Sequence, residues 1–260
     1  MEIIIKPSVA EAQQETAKIL RRQIQRKPDS VLGLATGSTP IGVYSILVEM
    51  HQRGELDFSR VSTFNLDEYV GLTPEHSCSY CAFMREHLFD KVNLPLANIH
   101  FPDGSAKDVP AHCAEYEAAI LRAGGIDLQL LGIGREGHIG FNEPSSSLAS
   151  RTRIKTLTPQ TVKDNAKCFG SPDNVPRHVI TMGVGTIMDT RHCLMLATGE
   201  AKAEAVARMA EGSITADLPA SILQMHPVCT LVVDEAAAAA LTRTDYYRWV
   251  YDNKPDWQRV

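Results

Sequence analysis

Short apolar runs alternate with stretches of helical spacing along the whole chain. Runs at 2–5, 31–35, 61–66, 128–133, 178–182, 193–197 and 230–233 predict strands. The run at 128–133 is almost purely apolar, as a strand covered on both faces requires. Between the strands, an apolar stripe of Val9, Ala12, Ala17, Leu20 and Ile24 predicts a helix over 9–26. Further helices are predicted at 40–53, where Pro40 suits a first turn, and at 79–89, 109–123, 201–210 and 235–250. The alanine run at 236–240 forms helix readily and is no linker. No internal repeat or low-complexity segment interrupts the alternation.

Strand–helix alternation with apolar strands implies an α/β fold: an open, mostly parallel sheet with helices on both faces, Rossmann-like in layout. We read one domain over residues 1–260. At 44% hydrophobic and 22% charged, the chain is no disordered protein. A chain of this length buries roughly 70–75% of its unfolded surface and needs no disulfides to fold. With 26 Lys and Arg against 31 Asp and Glu and no basic run, nucleic acid is not expected as a partner. Small anions need only a local positive site and stay open.

No stretch reaches the ~18 apolar residues of a membrane span, so no membrane partner is expected. The start, MEIIIKPSVAEAQQ, has no leader pattern, which predicts a cytoplasmic protein. In that compartment Cys78, Cys81, Cys113, Cys168, Cys193 and Cys229 are expected to be free thiols. Cys78 and Cys81 form a C-x-x-C without the further ligands a zinc site needs, and we read them as inert.

In open sheets ligands bind beyond the carboxyl ends of the strands. Three such ends carry chemistry. After 31–35, Thr36-Gly37-Ser38-Thr39 leads into a helix; its N–H groups and hydroxyls suit an anion at a helix start, or simply cap the helix. Neither a Walker A loop nor a dinucleotide fingerprint is present. After 61–66, Asp67 and Glu68 are adjacent carboxylates, either solvated charge or a general base in a cleft. After 128–133, four glycines fall within nine residues, and His138 is flanked by Glu136 and Glu143. A histidine between acids in a tight turn is a recurrent acid–base device. No HExxH spacing and no second nearby histidine occur, so no metal is expected. Lys202 follows strand 193–197, Lys167 lies in Asn-Ala-Lys-Cys, and Arg151, Arg153 and Lys155 alternate; on a strand these three would share one face.

LATGSTP at 34–40, TFNLDEYVGL at 63–72, GHIGFNEP at 137–144, SLASRTRIKTLT at 147–158 and MGVGTIMD at 182–189 together resemble the glucosamine-6-phosphate deaminase (isomerase) family, in family order. The resemblance implies conversion of D-glucosamine 6-phosphate and water to D-fructose 6-phosphate and ammonia. It implies His138 as ring-opening acid–base, assisted by Glu143 and Glu136, and Asp67 as the base that moves a proton from carbon 2 to carbon 1. Thr36, Gly37, Ser38 and Thr39 would hold the phosphate with Lys167 and Lys202. No cofactor is implied, since the reaction has no net redox step. Some members are hexamers activated by N-acetylglucosamine 6-phosphate, and Ser146, Arg153, Lys155 and Thr156 match that second anion site; a homo-oligomer is therefore expected. The aromatic cluster Tyr246, Tyr247, Trp249 and Tyr251 either shapes such an interface or packs a terminal helix.

Two positions depart from the family pattern. Glu136 stands where Asp or Asn is usual, and its extra methylene alters reach toward His138. Lys167 stands where some relatives have Arg, and it lacks the bidentate fork. The rival readings are the same chemistry on galactosamine 6-phosphate, a 6-phosphogluconolactonase, and a catalytically silent sugar-phosphate sensor.

Overall fold

The computed structural model describes residues 1–255 and 258; Asp256, Trp257, Arg259 and Val260, and with them the predicted domain end, lie outside the described residues. In chain order the elements are β1 (Glu2–Lys6), α1 (Val9–Arg26), β2 (Val31–Leu34), α2 (Ile41–Gln52), β3 (Ser62–Asn65), β4 (Asp67–Tyr69), α3 (Tyr80–His87), β5 (Ile99–His100), α4 (Val109–Arg122) and β6 (Leu128–Leu131). There follow β7 (Arg153–Thr156), α5 (Pro159–Phe169), β8 (His178–Thr181), α6 (Val184–Met188), β9 (Cys193–Ala197), α7 (Ala203–Glu211), β10 (Cys229–Asp234), α8 (Glu235–Ala238) and α9 (Thr244–Asp252).

Seven strands form one sheet in the order β1-β10-β9-β6-β2-β3-β5, every pairing parallel. Successive side chains point to opposite faces, and both faces are buried. Ile3, Val31, Met195 and Leu231 enter one core; Ile4, Leu32, Leu194 and Val232 enter the other. That double burial explains why these strands read as unbroken apolar runs. Local signals set the helix starts. Ser8, Ser79, Asp108 and Thr158 accept a backbone N–H from Glu11, Ala82, Ala111 and Thr161. Each such cap contributes about 1 kcal/mol.

A second, three-stranded sheet, β4-β8-β7, is antiparallel. It corrects one reading. The strand at 178–182 exists as β8 but belongs to this sheet, not the parallel one. The run at 61–66 supplies β3 in the parallel sheet; β3 ends at Asn65 and the chain then crosses to β4. Leu66 is the hinge, donating to Leu34 O at 3.2 Å and accepting from Met182 N at 2.7 Å. Hydrophobic pattern predicts a strand but not its partner.

The predicted terminal helix also divides, into α8 and α9. The Glu211 carboxylate draws in the Thr242 N–H at 2.9 Å, the Thr242 hydroxyl at 2.7 Å and the Arg243 N–H at 3.1 Å, which holds a turn between them. It also accepts from the Tyr247 hydroxyl at 2.9 Å. Tyr247 packs on one main core while Tyr246 and Trp249 stay exposed, so the aromatic cluster is only partly internal.

One expectation about cysteine is overturned. Cys78 and Cys168 form a disulfide, with Cα atoms 5.7 Å apart, across a separation of 90 residues. Composition and compartment say nothing of which thiols the fold brings together. The other four stay free. Burial pushes the Cys193 and Cys229 thiols up to about 12, so both are unreactive. Among the described residues, no helix is long and apolar enough to cross a membrane.

Candidate active site

The carboxyl ends of β2, β3, β6 and β9 lie side by side in the sheet. From β2 the chain proceeds to β3 on one side, while β6 and β9 lie on the other, so this is a topological switch point. The crossing from β3 to β4 sets Asp67 there as the first residue of β4, in register with Thr181 of β8. Asp67 is 5% exposed. Burial, reinforced by the adjacent Glu68, pushes its carboxyl well above the usual carboxylate range. Glu68 does a different job. It accepts the Tyr80 and Cys81 N–H groups, each at 3.1 Å, and so anchors the start of α3 beside β4.

The loop after β6 is tied down on β8. Phe141 N donates to Thr181 Oγ1 at 3.0 Å. Asn142 Nδ2 donates to Ile139 O at 2.8 Å and Met182 O at 2.9 Å. Two glycines make the packing feasible. A Cβ on Gly134 would stand 2.2 Å from the His138 ring. A Cβ on Gly140, whose φ is +54°, would stand 3.0 Å from Thr181 Oγ1 and 3.4 Å from Asp67 Oδ2. The positive φ of Gly140 and its close approach to Thr181 favour glycine where the loop lies against Asp67.

Within the loop, His138 Nδ1 and Glu143 Oε2 are 3.2 Å apart. That is ion-pair distance, yet the angle misses hydrogen-bond alignment, and neither buried atom has another partner. Glu143 Oε1 accepts from the Thr161 hydroxyl on α5 at 2.5 Å. Burial raises the Glu143 carboxyl, but the imidazole and the Thr161 hydroxyl outweigh it, and the net position is below the usual range. Glu136 is exposed, and no hydrogen bond or ion pair joins it to His138.

The loop of Thr36, Gly37, Ser38 and Thr39 is half-buried to exposed, with Gly37 at φ +108°. No side chain caps α2, and Pro40 takes the N-cap position, so the hydroxyls leave the first-turn N–H groups uncapped. An uncapped helix start beside hydroxyls is suited to an anion. Lys202, after β9, is half-buried; burial and then the nearby Arg135 lower its pKa, against Asp164. Arg135 and Lys202 thus gather positive charge at neighbouring strand ends. Lys167 projects from α5 and is exposed.

Arg153 Nη1 donates to Asn142 Oδ1 at 2.8 Å, and the only resolved influence on its guanidinium is burial, which lowers its pKa. Arg151 is spent on Glu117 and Asp189. Ser146 is buried with its hydroxyl unpaired. Arg153 and Lys155 share one face of β7; Thr156 is on the other. A cleft of about 620 Å³ between α4 and β7, lined by Cys113, Leu121, Arg153 and Ile154 among others, contains none of the candidate catalytic residues.

Sequence reasoning singled out Asp67, His138 and Glu143 and missed Arg135, Asn142, Thr158 and Thr161. Thr158-Pro159 is a helix-start signature that could have found α5. Among the described residues, no cluster of three or more His, Cys, Asp or Glu is arranged to hold a metal.

Residues 6–232 match the family described as glucosamine-6-phosphate isomerases/6-phosphogluconolactonase. The chain belongs to this family. A glucosamine-6-phosphate deaminase of Arthrobacter sp. (strain FB24) is 55% identical over 258 residues, 99% of each chain. One from Streptomyces avermitilis is 51% identical over 261 residues, 100% of each chain. A solved structure of a monomeric glucosamine-6-phosphate deaminase superposes with TM-score 0.90 at 43% identity, covering 92% of this chain and 100% of that one. The 6-phosphogluconolactonase of Trypanosoma cruzi shares the fold at TM-score 0.75 and 22% identity, covering 93% of this chain and 97% of that one. The family's lactonase branch is thus related through fold alone, and the family's deaminase branch through sequence along the full chain.

Proposed function

We propose that this protein converts D-glucosamine 6-phosphate and water to D-fructose 6-phosphate and ammonia. The observation that carries the reading is a buried carboxylate of raised pKa, Asp67, against the glycine-rich loop that holds His138 and Glu143. A carboxylate whose pKa is raised by burial holds a proton more readily than an exposed one and can return it.

The steps follow from the groups. His138 moves the proton between the anomeric hydroxyl and the ring oxygen, with Glu143 orienting and balancing the imidazole. Asp67 then takes the proton from carbon 2 of the open chain to give an enolamine and delivers it to carbon 1. One carboxylate serves both carbons because they are adjacent and held within its reach. The resulting imine at carbon 2 adds water and expels ammonia. Carbon 1 is reduced as carbon 2 is oxidised, so no external electron acceptor is required. The loop of Thr36, Gly37, Ser38 and Thr39 receives the phosphate, with Lys202, Lys167 and Arg135 supplying countercharge. Glu136, exposed, is assigned no direct contact with His138 in this resting arrangement.

We also carry a second anion site on Ser146, Arg153 and Lys155, taking N-acetylglucosamine 6-phosphate as activator. Its support is a part-buried guanidinium, without a carboxylate partner among the described residues, that bonds the same loop as Glu143. Thr156, on the opposite face of β7, is the weakest member of the set. A homo-oligomer, the hexamer included, is the matching assembly, although the solved relative above is monomeric.

The test is a substrate panel: ammonia release and ketose formation from glucosamine 6-phosphate, galactosamine 6-phosphate and 6-phosphogluconolactone, with and without N-acetylglucosamine 6-phosphate. Stoichiometric ammonia and fructose 6-phosphate from the first substrate supports the reading. Exclusive turnover of either other substrate, or none at all, overturns it. Light scattering on the same sample gives the assembly state.

A further inference from the structure

α5 buries few side chains yet touches the candidate ring-opening pair. It buries only Thr161 and Val162. Thr161 Oγ1 donates to Glu143 Oε1 at 2.5 Å. Thr158, the N-cap of the same helix, donates to the Thr161 hydroxyl at 3.0 Å and stands 3.5 Å from the same carboxylate oxygen. The backbone of Glu143 is fixed from its own loop: its N–H donates to Phe141 O and its carbonyl accepts from Ser146 N, both at 3.0 Å. The side chain keeps its own torsions, and the last, which turns the carboxylate, is soft. Fixing one oxygen then fixes the direction of the other. That other oxygen, Oε2, is the one 3.2 Å from His138 Nδ1 but out of line with it.

We propose that Thr161 is a positioning residue for the reaction: by holding Glu143 Oε1, its hydroxyl sets how Oε2 meets His138. This rests on the assignment of His138 and Glu143 as the ring-opening pair. Lys167 rides on the same helix. Engagement of an anionic substrate group and alignment of the acid–base pair therefore share one rigid element, and a small displacement of α5 turns the carboxylate through Thr161. The hydroxyl also favours the ionised carboxylate, because a donor to the charged form stabilises it. Its loss raises the pH at which Glu143 takes up a proton.

The experiment compares Thr161→Val, Thr161→Ser and Glu143→Gln on glucosamine 6-phosphate, measuring kcat, KM and the pH profile of kcat/KM. Thr161→Val is expected to lower kcat about 10-fold, as loss of a bond that orients an acting group does, with KM little changed. Its acid limb is expected to move to higher pH. Thr161→Ser, which keeps the hydroxyl, is expected to restore both. Thr161→Ala gives the same readout should valine unsettle the packing of α5. If Glu143→Gln is impaired while Thr161→Val keeps wild-type turnover and pH profile, the role of Thr161 is refuted and the pair assignment stands. If Glu143→Gln itself turns over normally, the pair assignment fails and the proposal with it. A slow Thr161→Val with an unshifted acid limb and no rescue by serine reduces Thr161 to packing.

Discussion

The seven-stranded sheet is covered on both faces by two large cores, whereas the three-stranded sheet rests on a small cluster that includes Tyr69, Phe141, Val162 and Val179. Its outer strand β7 alternates half-buried and exposed residues. α1, over the main sheet, buries seven residues; α5, over the small one, buries two. The two candidate catalytic carboxylates also differ in their surroundings. Asp67, where the main sheet hands over to the small one, is fully enclosed and its carboxyl is raised by burial. Glu143, under α5, is held ionised by donors that outweigh its burial. Dryness makes a proton acceptor; a surrounding of donors makes a fixed charge. Both carboxylates are buried, at 5% and 3% exposed; the donors around Glu143 are what separate them.

The sharpest way to break this contrast is at Asp67. Asp67→Asn removes the proposed shuttling base and is expected to lower kcat by about 10³-fold or more, within the range general-base removal produces. Thermal and urea unfolding are expected to show a folded protein that still binds sugar phosphate. Next in size is the disulfide, which ties the end of α5 to the turn before α3. Cys78→Ser with Cys168→Ser is expected to cost about 2–4 kcal/mol in urea unfolding, because the crosslink closes a long loop. A dithiol reductant on the wild-type protein is expected to reproduce that loss.

The cores themselves give a matched pair. Val232→Ala lies in a main core and Val162→Ala in the small cluster. We expect about 2–3 kcal/mol for the first and about 1 kcal/mol for the second, since a site that relaxes loses less. Equal losses would remove the distinction between the layers. The smallest effect is in pH. Asp67 has a folded pKa above its unfolded one, so it lowers stability as pH rises from about 4 upward. Glu143 has a folded pKa below its unfolded one, so its contribution is present above about 4.3 and is lost as pH falls. Asp67→Asn should therefore flatten the rising-pH side of the stability curve, and Glu143→Gln the acid side. A reversed pattern would contradict the two environments described.

What was legible in the sequence follows the same division. Strands such as residues 193–197 were readable because burial on both faces leaves a continuous apolar run. α5 was missed because two buried residues make no stripe, and only Thr158-Pro159 marked its start. The strand at 178–182 was recognised but set in the wrong sheet, since a strand's own pattern does not name its neighbour. Asp67, His138 and Glu143 stood out because they sit in short motifs at strand ends. Thr161 did not, because its part depends on a hydroxyl reaching Glu143 across 18 residues of sequence. The Cys78–Cys168 pairing was hidden for the same reason: contacts between distant segments are set by the fold.

The most direct test of the central claim follows a label through the reaction. Glucosamine 6-phosphate carrying deuterium at carbon 2 is incubated with the wild-type protein, and fructose 6-phosphate and ammonia are measured with the isotope content of carbon 1. A single enclosed base predicts equal amounts of both products, deuterium recovered in part at carbon 1, and turnover by Asp67→Asn lowered about 10³-fold or more. Products with no deuterium at carbon 1 under any condition, together with an active Asp67→Asn, would contradict the account.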